Sequence, residues 1–258
     1  MRYALFIILF VVGFPMANAF ALTDIAPRVE LVEQLGKQIP LHMTFKDSAN
    51  KDVQLREIID RPTLIVPVYY DCRSVCNFLL GGLAQALPEV KLNPGEDYQI
   101  IALSFDPEET VALAKHSKKT YLTAIQAPFP PDAWYFLTGT DENIHQLTDA
   151  AGYYFAKDDN SGEFLHPVAS FVVTADGKIV RYLVGQRFMP LDLSMALFEA
   201  SEGRIGTPIR KALEFCFSYD PEGRRYVFNL LRVSGTVILL TLGSFLLFLI
   251  FSGRKKKQ

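Results

Sequence analysis

The sequence predicts an α/β domain with a thioredoxin-like fold and a C-terminal transmembrane helix, on three observations. From residue 63 onward, short apolar strands alternate with helical segments, the order that builds a parallel sheet. Two cysteines stand at the first strand-to-helix junction, in VPVYYDCRSVCNFLLGGL, Val66 to Leu83. Near the end, the run VSGTVILLTLGSFLLFLIFSG, Val233 to Gly253, carries no charge and is long enough to cross a hydrocarbon layer of about 30 Å as a helix.

The chain has 258 residues, half of them apolar, enough for one medium domain with its own core plus extra segments, and no disulfide is needed merely to fold it. The net charge of −2 is unevenly spread. Arg2, Arg254, Lys255, Lys256 and Lys257 hold five of the 26 basic residues, leaving 21 against 28 acids between them, a balance of −7. A mildly acidic middle argues against nucleic acid as a partner.

The ends define the organisation. Arg2 precedes the apolar run YALFIILFVVGF and then PMANAFA, in which small residues at 17 and 19, or 19 and 21, suit a signal peptidase. Residues 1–19 are therefore expected to be a signal peptide, cleaved after Ala19 or Ala21. The thioredoxin-like domain spans 22–205, a juxtamembrane linker 206–232, the transmembrane helix 233–253 and a basic tail 254–258. Basic residues directly after the span stay in the cytoplasm, which puts the main domain on the outer, periplasmic side of a bacterial inner membrane. Outside the cytoplasm, neighbouring thiols oxidise unless a reductant or a metal holds them.

Residues 63–70 (TLIVPVYY) and 98–105 (YQIIALSF) read as buried strands. After the first, Val75, Phe78, Leu79, Leu83 and Leu87 recur at helical spacing. After the second, DPEETVALAKHSKK offers Asp106 as N-cap, Pro107 at the first helical position and Glu109 to complete a capping box. The loop around APFPPDAW is too rich in proline to be regular. DENIHQLTDAAG reads as a helix, SFVVTADGKIVRYLVG as two strands turning at Asp176-Gly177, and LDLSMALFEASEG as a closing helix ended by Gly203. Strand, helix, strand, helix, hairpin, helix is the thioredoxin layout.

Cys72 falls at the start of the first helix and Cys76 one turn later on the same face, so the two side chains point to one spot. Helix-terminal N–H groups and Arg73 favour a sulfur anion there. Three uses of the pair compete. A structural disulfide would close a very short loop. A redox disulfide normally uses C-x-x-C, one residue shorter than C-R-S-V-C, and a peroxidase wants threonine where Tyr69 stands. A metal needs further ligands. His116 in KHSKK and His145 on a polar helix read as surface residues, and His42 in the strand-like PLHMTF as structural. His166, just before a hydrophobic strand in EFLHPVASFVV, sits in the loop that passes the active helix in this layout. Two thiolates and an imidazole suit Cu(I) better than zinc, which wants a fourth protein ligand.

With C-x-x-x-C at Cys72 and Cys76, SFDPEET carrying Asp106 and Pro107, and His166 in HPVASFVVTADGK, the chain from Lys37 to Gly203 resembles the SCO/SenC/PrrC family of exported, membrane-tethered proteins. It is particularly similar to a subgroup with YLVG, FCFSYDPEGRRY and a C-terminal helix. The resemblance implies copper, Cu(I) and Cu(II), bound by Cys72, Cys76 and His166. It also implies assembly of the dinuclear copper centre of cytochrome c oxidase, with a periplasmic copper donor or thiol reductant as second partner. The alternative function is a thiol-disulfide oxidoreductase, using Cys72 and Cys76 catalytically to keep the oxidase cysteines reduced. A bare assembly scaffold is a third. The chain departs from the family at Asn77, where proline is common, and at Leu165, where an aspartate usually precedes the histidine. Losing that acid removes a partner for the imidazole N–H and is expected to weaken metal binding. Cys216, in LEFCFSYD, is read as a buried thiol, an extra copper ligand or an exchange partner for the pair.

Overall fold

The computed structural model describes residues 28–72, 75–205, 217–220, 225–228, 234–235 and 238–245. The expected signal peptide, Arg73, Cys216, the tail 254–258 and most of the linker 206–232 lie outside these. Of the span expected at 233–253, residues 234–235 and 238–245 are described and are helical. Among the described residues, no helix is long and apolar enough to cross a membrane.

The elements run β1 (Glu30–Leu31), β2 (Thr44–Asp47), β3 (Asp52–Gln54), α1 (Leu55–Ile58), β4 (Thr63–Val68), α2 (Val75–Ala86), β5 (Gln99–Ser104) and α3 (Val111–Ala124). Then follow β6 (Trp134–Thr138), α4 (Asp141–Ala150), β7 (Tyr153–Tyr154), β8 (Ala156–Lys157), β9 (Phe164–Leu165), β10 (Ala169–Val173), β11 (Ile179–Val184) and α5 (Pro190–Ser201). A separate hairpin pairs β12 (Phe217–Asp220) with β13 (Arg225–Phe228).

Seven strands form one mixed sheet in the order β11-β10-β4-β5-β6-β2-β3. The central three, β4, β5 and β6, are parallel, and β10 and β2 flank them antiparallel. Leu64, Val66 and Val68 of β4 face a core built with α2, α3 and α5, while Ile65 faces a second core with α1 and α4. Burial on both faces is why β4 and β5 read as unbroken apolar runs. Pairing of β10 with β4 stops at Phe171 opposite Ile65. Pro67, which has no N–H to donate, lies just past that point, where the two strands separate.

The expected hairpin turns at Gly177, whose φ of 81° is the left-handed backbone that glycine adopts freely. Three local expectations are corrected. Helix α3 starts at Val111 with Thr110 as N-cap, its hydroxyl accepting from the Leu113 N–H. Asp106 instead accepts from the Glu108 N–H in a preceding turn, and Glu109 folds away under the chain that follows β4. The segment WYFLT after the proline-rich loop is a full parallel strand, β6. His42 lies in an exposed turn ahead of β2, and its carbonyl accepts from Gln54.

Candidate metal centre

The site grows from the C-terminal end of β4. Tyr70 anchors the outgoing chain, its hydroxyl donating to the carbonyls of Ala102 and Leu137 at 2.9 and 2.8 Å. Glu109 fixes the same chain from below. Its carboxylate accepts the backbone N–H groups of Tyr70 and Asp71 at 2.8 and 2.7 Å and the Ser104 hydroxyl at 2.5 Å. Burial raises the Glu109 pKa, and those three donors oppose the shift.

This scaffold delivers Cys72 to the start of α2. Its Sγ accepts the Cys76 N–H at 3.4 Å, so the helix terminus donates to sulfur as the sequence predicts. Both cysteines are free thiols, 3 % and 1 % exposed. Cys76 nevertheless departs from the expectation of a sulfur-anion site. Burial pushes its thiol far above the ordinary range, and the neighbouring Cys72 adds to the shift. Tyr69 closes the other side. Burial raises its phenol, and the bond between its hydroxyl and the Cys72 sulfur raises it further.

His166 arrives on the two-residue link between β9 and β10, with its Nε2 3.7 Å from the Cys76 Sγ. The other nitrogen, Nδ1, lies 2.9 Å from the Pro167 carbonyl and 2.9 Å from the Tyr153 hydroxyl. A carbonyl only accepts, so Nδ1 carries the proton and Nε2 turns its lone pair toward sulfur. Tyr153 itself donates to Pro167 O at 2.7 Å. Burial lowers the His166 pKa, with the Pro167 bond opposing, and the neutral ring is the form that can ligate. Phe105 packs on the imidazole at 5.0 Å between ring centroids, and Tyr69 meets it edge-on at 6.2 Å.

The imidazole N–H therefore has partners despite Leu165, which corrects the expectation of weakened binding from that departure. Pro167 and Tyr153 supply what an aspartate would. The other departure, Asn77, accepts the Tyr121 hydroxyl at 2.7 Å and ties α2 to α3. Asp106 lines a cleft with Glu108, Asp141, His145 and Phe164. His116 and His145 are exposed, the latter lying over Phe155. Sequence reasoning missed Tyr153 and Tyr69, which carry no local signal, and took Glu109 for a capping residue.

Among the described residues, no three His, Cys, Asp or Glu side chains already converge on one point. Cys76 and His166 do meet, and their 3.7 Å separation suits a shared ion. Bonds of roughly 2.3 and 2.0 Å opening at about 120° span about that distance. Two soft sulfurs and a neutral imidazole, walled by aromatic rings, fit a soft monovalent ion.

A family model described as SCO1/SenC matches residues 33–194. No curated protein matches the chain. Among solved structures, a candidate electron transfer protein of Aquifex aeolicus VF5 is 27 % identical with a TM-score of 0.58, covering 66 % of this chain and 95 % of its own. Arabidopsis thaliana ScoI with copper bound shares the fold at 19 % identity and a TM-score of 0.51, over 62 % of this chain and 96 % of its own. BsSco, described as having a disulfide switch and as a member of the Sco family of cytochrome c oxidase assembly proteins, is 20 % identical with a TM-score of 0.50, over 66 % and 98 %.

Proposed function

The chain belongs to the SCO1/SenC family, and from that membership we propose that it is a copper chaperone for cytochrome c oxidase. Cys72, Cys76 and His166 carry Cu(I) as cargo to the subunit that holds the oxidase's dinuclear copper site. The thiols give up their protons on loading, which leaves the centre at −1, and the α2 terminus and the Tyr69 hydroxyl face that charge. The run 233–253 anchors the domain on the outer side of a bacterial inner membrane, and a periplasmic copper donor loads it.

One observation carries this reading: the Nε2 lone pair of a neutral, buried His166 directed at the Cys76 sulfur. Thiol exchange alone would not need that imidazole. The relatives of like fold that hold copper and assemble cytochrome c oxidase support the same choice. A thiol reductase acting on the oxidase cysteines is the second reading, favoured by the two free sulfurs lying one helical turn apart.

Metal analysis of the full chain, purified reduced and without air, decides between them. Stoichiometric copper that is lost in Cys72→Ser, Cys76→Ser and His166→Ala supports delivery. Zinc or no metal, with thiol exchange intact in His166→Ala, supports the reductase.

A further inference from the structure

Helix α5 and its C-cap hold three acidic residues, and an arginine binds each one. Asp192 and Glu199 both accept from the fully buried guanidinium of Arg181 at 2.6 Å, and Glu202 pairs with Arg204. Leu193, Ala196, Leu197 and Ala200 fill the core beneath. What the helix turns outward is Leu191, Met195 and Phe198, 66 %, 37 % and 50 % exposed and spaced by four and three residues along one stripe. Met189 before it and Ile205 after it are exposed as well. A helix apolar on both faces, with its acids tied down, is an interaction surface.

We infer that this stripe rests on the surface of an anionic lipid bilayer. Charge complementarity favours lipid. Arg187 is exposed where the chain enters the helix, and Gly203–Lys211, where it leaves, holds Arg204, Arg210 and Lys211 without an acid. Basic flanks around an uncharged apolar face suit phosphate headgroups above acyl chains. The course of the chain favours it too, because residues 206–232 lead from this end of the domain directly into the uncharged run 233–253. This second argument rests on the anchored reading above.

The orientation bears on delivery. The Gly185 N–H donates to the Val168 carbonyl at 2.8 Å, so the chain enters α5 beside the strand that carries His166. With α5 lying flat, the sulfurs at that end of the sheet open along the membrane plane, where a membrane-bound client displays its own site.

The test uses the full chain in vesicles of phosphatidylcholine and phosphatidylglycerol with brominated acyl chains, which quench tryptophan on contact. Trp134 is buried and serves as background. Phe198→Trp places a reporter on the stripe, and Gln146→Trp places one on α4, across the sheet. The expected result is roughly two-fold quenching at position 198, none at 146, and weaker quenching at 198 when phosphatidylglycerol is omitted. Equal quenching at both positions overturns the proposal. So does an unquenched 198 in chains that float with the vesicles, whether or not the chains self-associate, and this outcome leaves the anchor standing. Chains that fail to float take both readings down.

Discussion

The Tyr153 hydroxyl and His166 Nδ1 lie 2.9 Å apart, and both donate to the carbonyl of Pro167. The ring's tautomer and direction are thus set by a residue thirteen positions upstream. Tyr153→Phe leaves Pro167 as the sole partner and frees the imidazole to rotate. Cu(I) affinity is expected to fall about ten-fold, the lower end for loss of a ligand's outer partner. Competition with a chromophoric Cu(I) chelator measures it, and an unchanged constant would show that Pro167 suffices.

Glu109 is the corresponding support on the sulfur side. Glu109→Gln keeps the shape but turns an amide N–H₂ toward either the Tyr70 or the Asp71 N–H, setting donor against donor. Stability should drop by about 2 kcal/mol, as for a buried donor left unsatisfied. Denaturant midpoints check the magnitude. Faster amide exchange at 70 and 71 checks the location.

The strands with two buried faces were legible in sequence because such burial writes an apolar run, as in TLIVPV and QIIALS. Cys72 and Cys76 were legible because helical spacing alone brings them to one face. His166 followed from its place ahead of a core strand. The rest depends on choices that local patterns leave open. In DPEET both Asp106 and Thr110 can start a helix, and the structure uses Thr110 because Glu109 is drawn under Tyr70. WYFLT follows four prolines and reads as loop until its neighbours β5 and β2 pair with it. Tyr153 meets His166 only through tertiary packing, so no spacing announces it.

Burial holds Cys76 as a thiol in the empty site, and binding must remove that proton. Copper uptake should therefore release protons, and apparent affinity should rise about ten-fold per pH unit for each thiol proton displaced. Chelator competition between pH 6 and 8, or titration in weakly buffered solution, reads this directly. A flat profile would mean that the sulfurs are already ionised.

The empty domain should also lose stability in mild acid. His166 titrates below its ordinary 6.5 when folded because burial disfavours the charged ring. The unfolded chain then takes up the proton first, so this contribution is complete above about 6.5 and declines as pH falls toward the lower folded value. Below that value it levels off. Guanidinium midpoints of the reduced protein from pH 7.5 to 5 should follow this course, and His166→Gln should flatten it.

Arg181 tests the support beneath α5. Its side chain is fully buried and binds Asp192 and Glu199 from β11, joining the sheet to the helix. Arg181→Met keeps most of the volume but leaves two carboxylates facing each other without a cation, which should destabilise the domain by about 3–5 kcal/mol. Adding Asp192→Asn and Glu199→Gln removes the stranded charges and should restore much of the loss, because an apolar or neutral replacement of a whole buried network costs less than breaking it. Thermal melts of the single and triple variants give both numbers. If the single variant melts with the parent protein, solvent reaches the two acids and the network does not hold α5 in place.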